Sequence, residues 1–221
     1  MPSYAVIGAS RGIGIEYVRQ MASRSDTVVF AVVRNPERST HLNTSAAGLK
    51  NVHIIPGDVV DYNSLEYKVN SLGPIHAMTA FLPLLRTSDT EKIVVIGSGA
   101  GDPSSSRVLY LPHMVAYAVT KAAALLATTK FAVNLQDEGF VVITLSPGMV
   151  DCSATAGADS EALADSLKEL SASVNKNTGL EVMPQTPEES VAGQLKVIDG
   201  LELSHNGLFL QHTGGEYHSR S

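Results

Sequence analysis

Six short runs along the chain are almost wholly apolar and rich in β-branched residues: YAVIG (4–8), TVVFAVV (27–33), VHII (52–55), KIVVIG (92–97), FVVITLS (140–146) and GLFLQ (207–211). A strand with one wet face alternates apolar and polar positions, whereas a strand covered on both faces does not. These runs therefore predict buried strands of a parallel sheet. Between them lie stretches with helical signals. RGIGIEYVRQMAS follows the first run, NSLEYKVNSLGPIHAMTAFLPLL precedes the fourth, and HMVAYAVTKAAALLATTKFAVNLQDEG joins the fourth to the fifth. The last of these stops at Gly139, which suits a left-handed cap. Further on, TPEESVAGQLKVIDG carries a capping box from Thr186 to Glu189, with Pro187 at the first helical position and Gly200 past the last turn. Strand alternating with helix predicts an α/β chain built on an open, doubly wound parallel sheet. The polar stretch 153–185 has no strand character, although SEALADSLKELSA within it fits one amphipathic helix. It is too long for an ordinary connection, so it is either a solvated excursion or a lid; its place after a strand's C-terminal end, where such sheets bind ligands, favours the lid.

Composition narrows this picture without redrawing it. A chain of 221 residues fits one domain, 1–221, and buries roughly three quarters of its unfolded surface. The net charge of −6, with basic residues scattered, argues against nucleic acid or an anionic membrane as partner. No apolar run approaches the roughly 20 residues that a membrane span needs. Cys152 is the single cysteine, so no internal disulfide forms, and SYAVIGAS reads as a strand rather than a leader. A cytoplasmic location is the expectation. The seven histidines show no metal-ligand spacing, and no metal is expected.

Candidate chemistry begins directly after the first strand, where GASRGIG places Gly8, Gly12 and Gly14 at the opening of a helix. Glycines let the backbone turn tightly and approach a pyrophosphate, while the helix start offers unpaired N–H groups and the positive end of its dipole. The motif alone is weak; its setting between strand and helix is the confirming context. At the end of the second strand an acidic residue would meet an adenosine ribose, but the sequence there reads AVVRNP. Arg34, with Arg11 in the glycine turn, suits a 2′-phosphate, so NADP(H) is expected rather than NAD. Tyr117 and Lys121, four residues apart in AYAVTKAAALLA, lie on one face of a helix, a spacing that fits an ordinary helical surface as readily as an active site.

Taken in order, GASRGIG, the GDV at 57–59, the serine after KIVVIG, the Tyr117/Lys121 pair and the SPG at 146–148 resemble the short-chain dehydrogenase/reductase family. The run PEESVAGQLKVIDGLELSHNGLFLQHTGGEYH is similar to the branch of sniffer-type carbonyl reductases and fungal norsolorinic acid ketoreductase-like proteins. The resemblance implies a Rossmann-like fold and hydride transfer between a nicotinamide and a small-molecule carbonyl or alcohol. It implies that Tyr117 is the acid/base, that Lys121 lowers the phenol's pKa and holds the nicotinamide ribose, that Ser98 hydrogen-bonds the substrate oxygen, and that Asn70 supports Lys121 through a water. It further implies cofactor contacts at Gly8, Ser10, Arg11, Gly12, Ile13, Gly14, Arg34, Asp58, Val59, Tyr117, Lys121, Pro147, Gly148 and Val150, and a homodimer formed through the helices around 64–86 and 113–137.

Several features depart from the family pattern. Asp58 and Asn70 are only twelve residues apart, where the family has about fifty residues containing a helix, a central strand and an NNAG turn. One central strand is thus expected to be missing, leaving strands 4–8 and 92–97 either paired directly in a six-stranded sheet or completed by another subunit. Ile7 stands where the family has a threonine tied to that turn. Cys152 replaces a threonine that contacts the nicotinamide carboxamide. DPSSSRVLYLP, between Ser98 and Tyr117, is an insertion expected to form a loop.

Overall fold

Each of the six apolar runs forms a strand in the computed structural model, which describes residues 2–57, 68–88, 90–108, 114–179 and 181–217. The strands are β1 (Ser3–Ile7), β2 (Val28–Val33), β3 (Val52–Pro56), β4 (Lys92–Ile96), β5 (Val141–Ser146) and β6 (Phe209–Gln211). The helices are α1 (Gly12–Ala22), α2 (Thr40–Ala46), α3 (Gly73–Leu85), α4 (Pro103–Val108), α5 (Val115–Asn134), α6 (Ser160–Thr178) and α7 (Pro187–Asp199). Every ladder joining the strands is parallel, in the orders β1-β2-β3 and β4-β5-β6. The expected α/β architecture of parallel strands and intervening helices is therefore present. Its ladders make two three-stranded sheets. No ladder among the described residues joins β1 to β4.

Contacts group the chain into two compact units, one drawn from Met1–Asp58, Met149–Glu169 and Pro184–Ala192, the other from Val59–Gly148, Leu170–Met183 and Gly193–Ser221. In the first, β2 is the central strand and contributes Val29, Ala31, Val32 and Val33 to the core, with Val18, Met21 and Ala22 of α1 and Leu42 of α2 also buried. In the second, all six residues of β5 are buried. Its side chains alternate between two cores. Val142 joins Ile93, Val95, Met78, Ala132, Leu135 and Phe140 on the face covered by α3 and α5. Val141, Ile143 and Leu145 join Leu201 and Leu210 on the other face, with Val197 and Ile198 packed against them. Each such side chain removed from water is worth about 1.5–3 kcal/mol, and the strict alternation makes a one-residue slip costly.

Two helices lie where none was expected. Thr40–Ala46 forms α2, and the insertion after Ser98 opens with α4 rather than a loop: Pro103 takes the first helical position and the Asp102 carboxylate accepts the Ser105 N–H at 2.7 Å, two start signals masked by a serine run. The helix foreseen from residue 63 is described from a π-helical turn, Lys68–Leu72, into α3. The capping box at Thr186 and Glu189 forms as read, with the Glu189 N–H donating to Thr186 Oγ1 and the Thr186 N–H to Glu189 Oε2. Gly139 takes φ 84°, although it closes a 3-10 turn after α5 rather than α5 itself. Among the described residues no helix is long and apolar enough to cross a membrane, and no cluster of His, Cys, Asp or Glu is arranged to hold a metal.

Candidate active site

In the second unit the predicted residues gather where β4 ends. Ser98 follows β4 in extended conformation and caps the 3-10 turn Gly99–Gly101, its Oγ accepting the Ala100 N–H at 3.2 Å. That turn lies against α5 through Gly101, where a Cβ would sit 2.7 Å from the Ala122 nitrogen and 2.7 Å from the Lys121 carbonyl carbon. Only glycine admits so close a contact, and the contact brings the first turns of α5 beside Ser98. Tyr117 is half-buried; burial pushes its pKa upward, and the nearby Ser98 side chain offsets part of the rise. Tyr117 and Lys121 lie on α5, the helix that packs through Ala132 on the Val95 and Val142 face of the sheet.

Lys121 stands one turn after Tyr117, its Nζ 5.8 Å from the phenol ring centroid. The ammonium donates to the Ile96 carbonyl at 3.0 Å, and burial lowers its pKa. The lowering of Tyr117 by Lys121 that the resemblance implies is not the outcome here, because desolvation sets the direction at both groups. Ladder parity explains what Lys121 is doing. The Gly97 N–H donates to Leu145 and the Glu91 carbonyl accepts from Val141, so odd-numbered backbone groups of β4 point at β5 and the Ile96 carbonyl points away from it, to be met by Lys121. Asn70, in the π-helical turn, donates to Thr120 Oγ1 at 3.1 Å, and that hydroxyl donates to the Tyr117 carbonyl at 2.7 Å. Ser71 adds a bond to the Thr120 carbonyl at 3.0 Å. Asn70 is thus held against the α5 turn between Tyr117 and Lys121.

Sequence reasoning missed Tyr217. Its ring stacks on Phe209 with centroids 4.3 Å apart, its hydroxyl lies 3.3 Å from Ser146 Oγ, and it would stand 3.0 Å from a Cβ at Gly99, the residue next to Ser98. No local pattern marks it, since its neighbours are brought in by β5 and β6.

In the first unit the glycine turn is built as foreseen. Gly8 and Gly12 have φ of 84° and 58°, and a Cβ at Gly14 would fall 2.3 Å from the Gly8 carbonyl oxygen, so strand and helix meet too closely for any side chain. The Gly8 N–H is bonded to Val32 at 3.0 Å. Arg11 is the N-cap residue of α1 and caps nothing with its side chain. Instead, the Gly12 N–H donates to Thr155 Oγ1 at 2.9 Å, and the Ile13 N–H donates to the Cys152 sulfur, whose pKa burial nonetheless raises. Arg11 and Arg34 are exposed, and Ser10, Ile13 and Gly14 are partly so. Gly148 turns with φ 80°, and Val150 forms a parallel bridge with Gln185. Asp58 and Val59, expected to contact cofactor, lie outside the described residues.

By donor type these residues fit a dinucleotide phosphate: main-chain N–H groups at a helix start, an unfilled backbone cradle at Gly8, and two exposed guanidiniums. The fit requires Thr155 and Cys152 to yield the Gly12 and Ile13 N–H groups.

Comparison with known proteins places these features in context. A sequence model of the short chain dehydrogenase family matches residues 65–163. The short-chain dehydrogenase/reductase atnB of Arthrinium sp is 32% identical over 269 aligned positions, covering 97% of this chain and 98% of that protein. An uncharacterised oxidoreductase of Schizosaccharomyces pombe is 31% identical, covering 96% of this chain and 95% of its own. The alignment to atnB is longer than this chain of 221 residues and so opens gaps in it. Among solved structures, NADPH-bound carbonyl reductase from chicken fatty liver superposes with a TM-score of 0.75 at 24% identity, with 97% of each chain covered, and so shares the fold.

Proposed function

The chain belongs to the short-chain dehydrogenase/reductase family, and from that premise we propose that it is an NADP(H)-dependent oxidoreductase that reduces a carbonyl, or oxidises an alcohol, through Ser98, Tyr117 and Lys121. The observation that carries the proposal is the gathering of Ser98, Tyr117 and Lys121 where β4 ends, the Ser98-capped turn lying against α5 through Gly101. In carbonyl reduction Ser98 holds the substrate oxygen, and Tyr117, kept protonated at neutral pH by its raised pKa, gives that oxygen its proton. Lys121 carries positive charge beside the phenol, and Asn70, through Thr120, keeps this turn of α5 in place. Gly8, Ser10, Gly12, Ile13 and Gly14 form the phosphate turn, and Arg11 and Arg34 receive the 2′-phosphate. NADPH, when bound, supplies the hydride.

The substrate is a small carbonyl or alcohol, and the setting is the cytoplasm. The acting form is a homodimer: Val115, Val119, Leu126 and Val133 of α5 are all more than half exposed and fall within about 40° of one another round the helix, an apolar stripe that suits a second copy of the same helix.

The test is NADPH oxidation by the purified chain against a panel of aldehydes and ketones, with Tyr117→Phe as control. The parent turns over at least one compound, at a rate that stays level through neutral pH and falls only as pH rises past the ordinary tyrosine value near 10. The variant loses turnover but still binds NADPH. If no compound is turned over, the proposal fails.

A second reading is that of a non-catalytic descendant that kept the fold and serves binding alone. It is favoured by the engagement of the Gly12 and Lys121 donors within the chain. Calorimetry separates the two, since a chain that binds no NADP(H) is left only with an interaction role.

A further inference from the structure

The start of α1 lacks a cap of its own. A helix leaves its first N–H groups unpaired, and the N-cap residue normally supplies a side-chain oxygen to one of them. Here that residue is Arg11, which makes no such bond. The oxygen comes instead from Thr155, 143 positions away in the sequence. Both capacities of its hydroxyl are in use: it accepts the Gly12 N–H at 2.9 Å and donates to the Cys152 carbonyl at 3.2 Å. Cys152 takes the next N–H, that of Ile13, and its sulfur lies 3.4 Å from where a Cβ of Gly12 would be. Two consecutive donors at the start of α1 are thus covered by one turn, Cys152–Thr155.

The turn is mounted on a fixed stem and is itself light. Its stem is pinned by two backbone bonds, from the Asp151 N–H to Gln185 and from the Gln185 N–H to Met149, each 2.8 Å. The Asp151 carboxylate also holds the turn, by accepting the Ser153 N–H at 2.9 Å. On its far side the chain passes through Gly157 at φ 66°, with nothing within 4 Å of its Cβ position. The bonds across the turn are short-range 3-10 bonds, from the Thr155 N–H to Cys152 and from the Ala156 N–H to Ser153. Swinging the turn from the helix start therefore breaks few contacts while the stem stays in place.

Resting on the dinucleotide-binding reading above, we infer that Thr155 and Cys152 form a latch that competes with the cofactor's diphosphate for the N–H groups of Gly12 and Ile13, so that Thr155 sets NADP(H) affinity. A phosphate oxygen bears charge where the threonine oxygen is neutral, and charge-assisted hydrogen bonds are roughly twice as strong as neutral ones. The diphosphate therefore displaces the latch, at a cost in affinity equal to the cap it replaces. The segment carrying the latch is the one whose sequence reads as a lid, so its opening and cofactor entry are a single event.

The experiment uses the full-length chain, Thr155→Val and Thr155→Ala, with two readouts. Without cofactor, amide hydrogen exchange at Gly12 speeds up in both variants, while exchange at Gly8, whose N–H is bonded to Val32, is unchanged. By calorimetry, NADPH binds both variants about two- to twelve-fold more tightly than the parent, the fold-change expected from removing one competing hydrogen bond. The inference alone is overturned if the parent binds NADPH and the variants bind no more tightly, or if Gly12 exchange does not change. If neither parent nor variants bind NADPH, the dinucleotide reading fails and the latch loses its competitor with it.

Discussion

Replacing Gly101 by alanine tests the contact that brings the two halves of the Ser98–Tyr117 pair together. The new Cβ would stand 2.7 Å from the Ala122 nitrogen, 2.7 Å from the Lys121 carbonyl carbon and 2.9 Å from the Lys121 Cβ. Carbon contacts are comfortable at about 3.5–4.0 Å, so the 3-10 turn and α5 must part by about 1 Å, and none of the three atoms can rotate out of the way. Overpacking of this kind costs about 1–3 kcal/mol, or a fall in melting temperature of about 2–12 °C for a chain of this size. Gly99→Ala is the matched control. Its Cβ would meet only the Tyr217 side chain, 3.0 Å from the hydroxyl and 3.2 Å from the ring, and that side chain can swing. Both variants lose the same unfolded-state freedom, a stabilisation of about 0.4–1 kcal/mol, so their difference isolates the backbone clash. Differential scanning calorimetry should place Gly101→Ala well below both parent and Gly99→Ala. Because displacement of about 1 Å can cost a hundred-fold in rate, any NADPH-linked turnover should fall further in Gly101→Ala than the melting shift alone would suggest. A Gly101→Ala chain that melts within a degree of the parent, or above Gly99→Ala, would falsify the packing argument.

Two further outcomes are expected. Burial lowers the Lys121 pKa, so between that lowered value and the ordinary lysine value near 10.4 the unfolded chain binds more protons than the folded one, and stability rises with pH. Tyr117, shifted the other way, opposes this only from about pH 10 upward; urea midpoints measured below pH 10 should therefore climb with pH in the parent and lose that climb in Lys121→Met, and equal slopes would count against a buried, desolvated ammonium. The apolar stripe on α5 predicts that Leu126→Glu converts a dimeric parent to monomer in sedimentation velocity, and a parent already monomeric at tens of micromolar removes that interface.

What the sequence disclosed and what it hid divide along physical lines. The six strands were legible because a strand covered on both faces must be apolar throughout, and Val141–Ser146, buried at every position, is the extreme case. The glycine turn was legible because Gly14 has no room for a side chain, a constraint that acts within seven residues of sequence. Helix α2 escaped because Leu42 is its only buried residue, too little to make a period. Thr155, Tyr217 and the Lys121–Ile96 bond escaped for a different reason. Each pairs residues brought together only by the finished fold, and neither spacing nor periodicity encodes such a pairing. Tyr117, Lys121 and Ser98 became readable only through their order along the chain, since each alone fits an ordinary surface or strand end.

The bonds of Gly12 to Thr155 and of Lys121 to Ile96 have a common origin in unpaired backbone. At Gly12 the orphan is a helix N–H whose own N-cap residue is an arginine; at Ile96 it is a carbonyl on the edge of β4 that β5 cannot reach. The Lys121 ammonium meets that carbonyl at 3.0 Å. An unsatisfied buried carbonyl costs about 1–3 kcal/mol, enough to draw a lysine inward against the desolvation that lowers its pKa. On the proposed dinucleotide-binding reading, the Gly12 bond does not shut cofactor out. A net hydrogen bond is worth about 0.5–1.5 kcal/mol, so on that reading its displacement weakens dinucleotide affinity by about two- to twelve-fold. Abolishing affinity would take obstruction of the backbone cradle itself, and at Gly8 nothing lies within 4 Å of the position a side chain would fill.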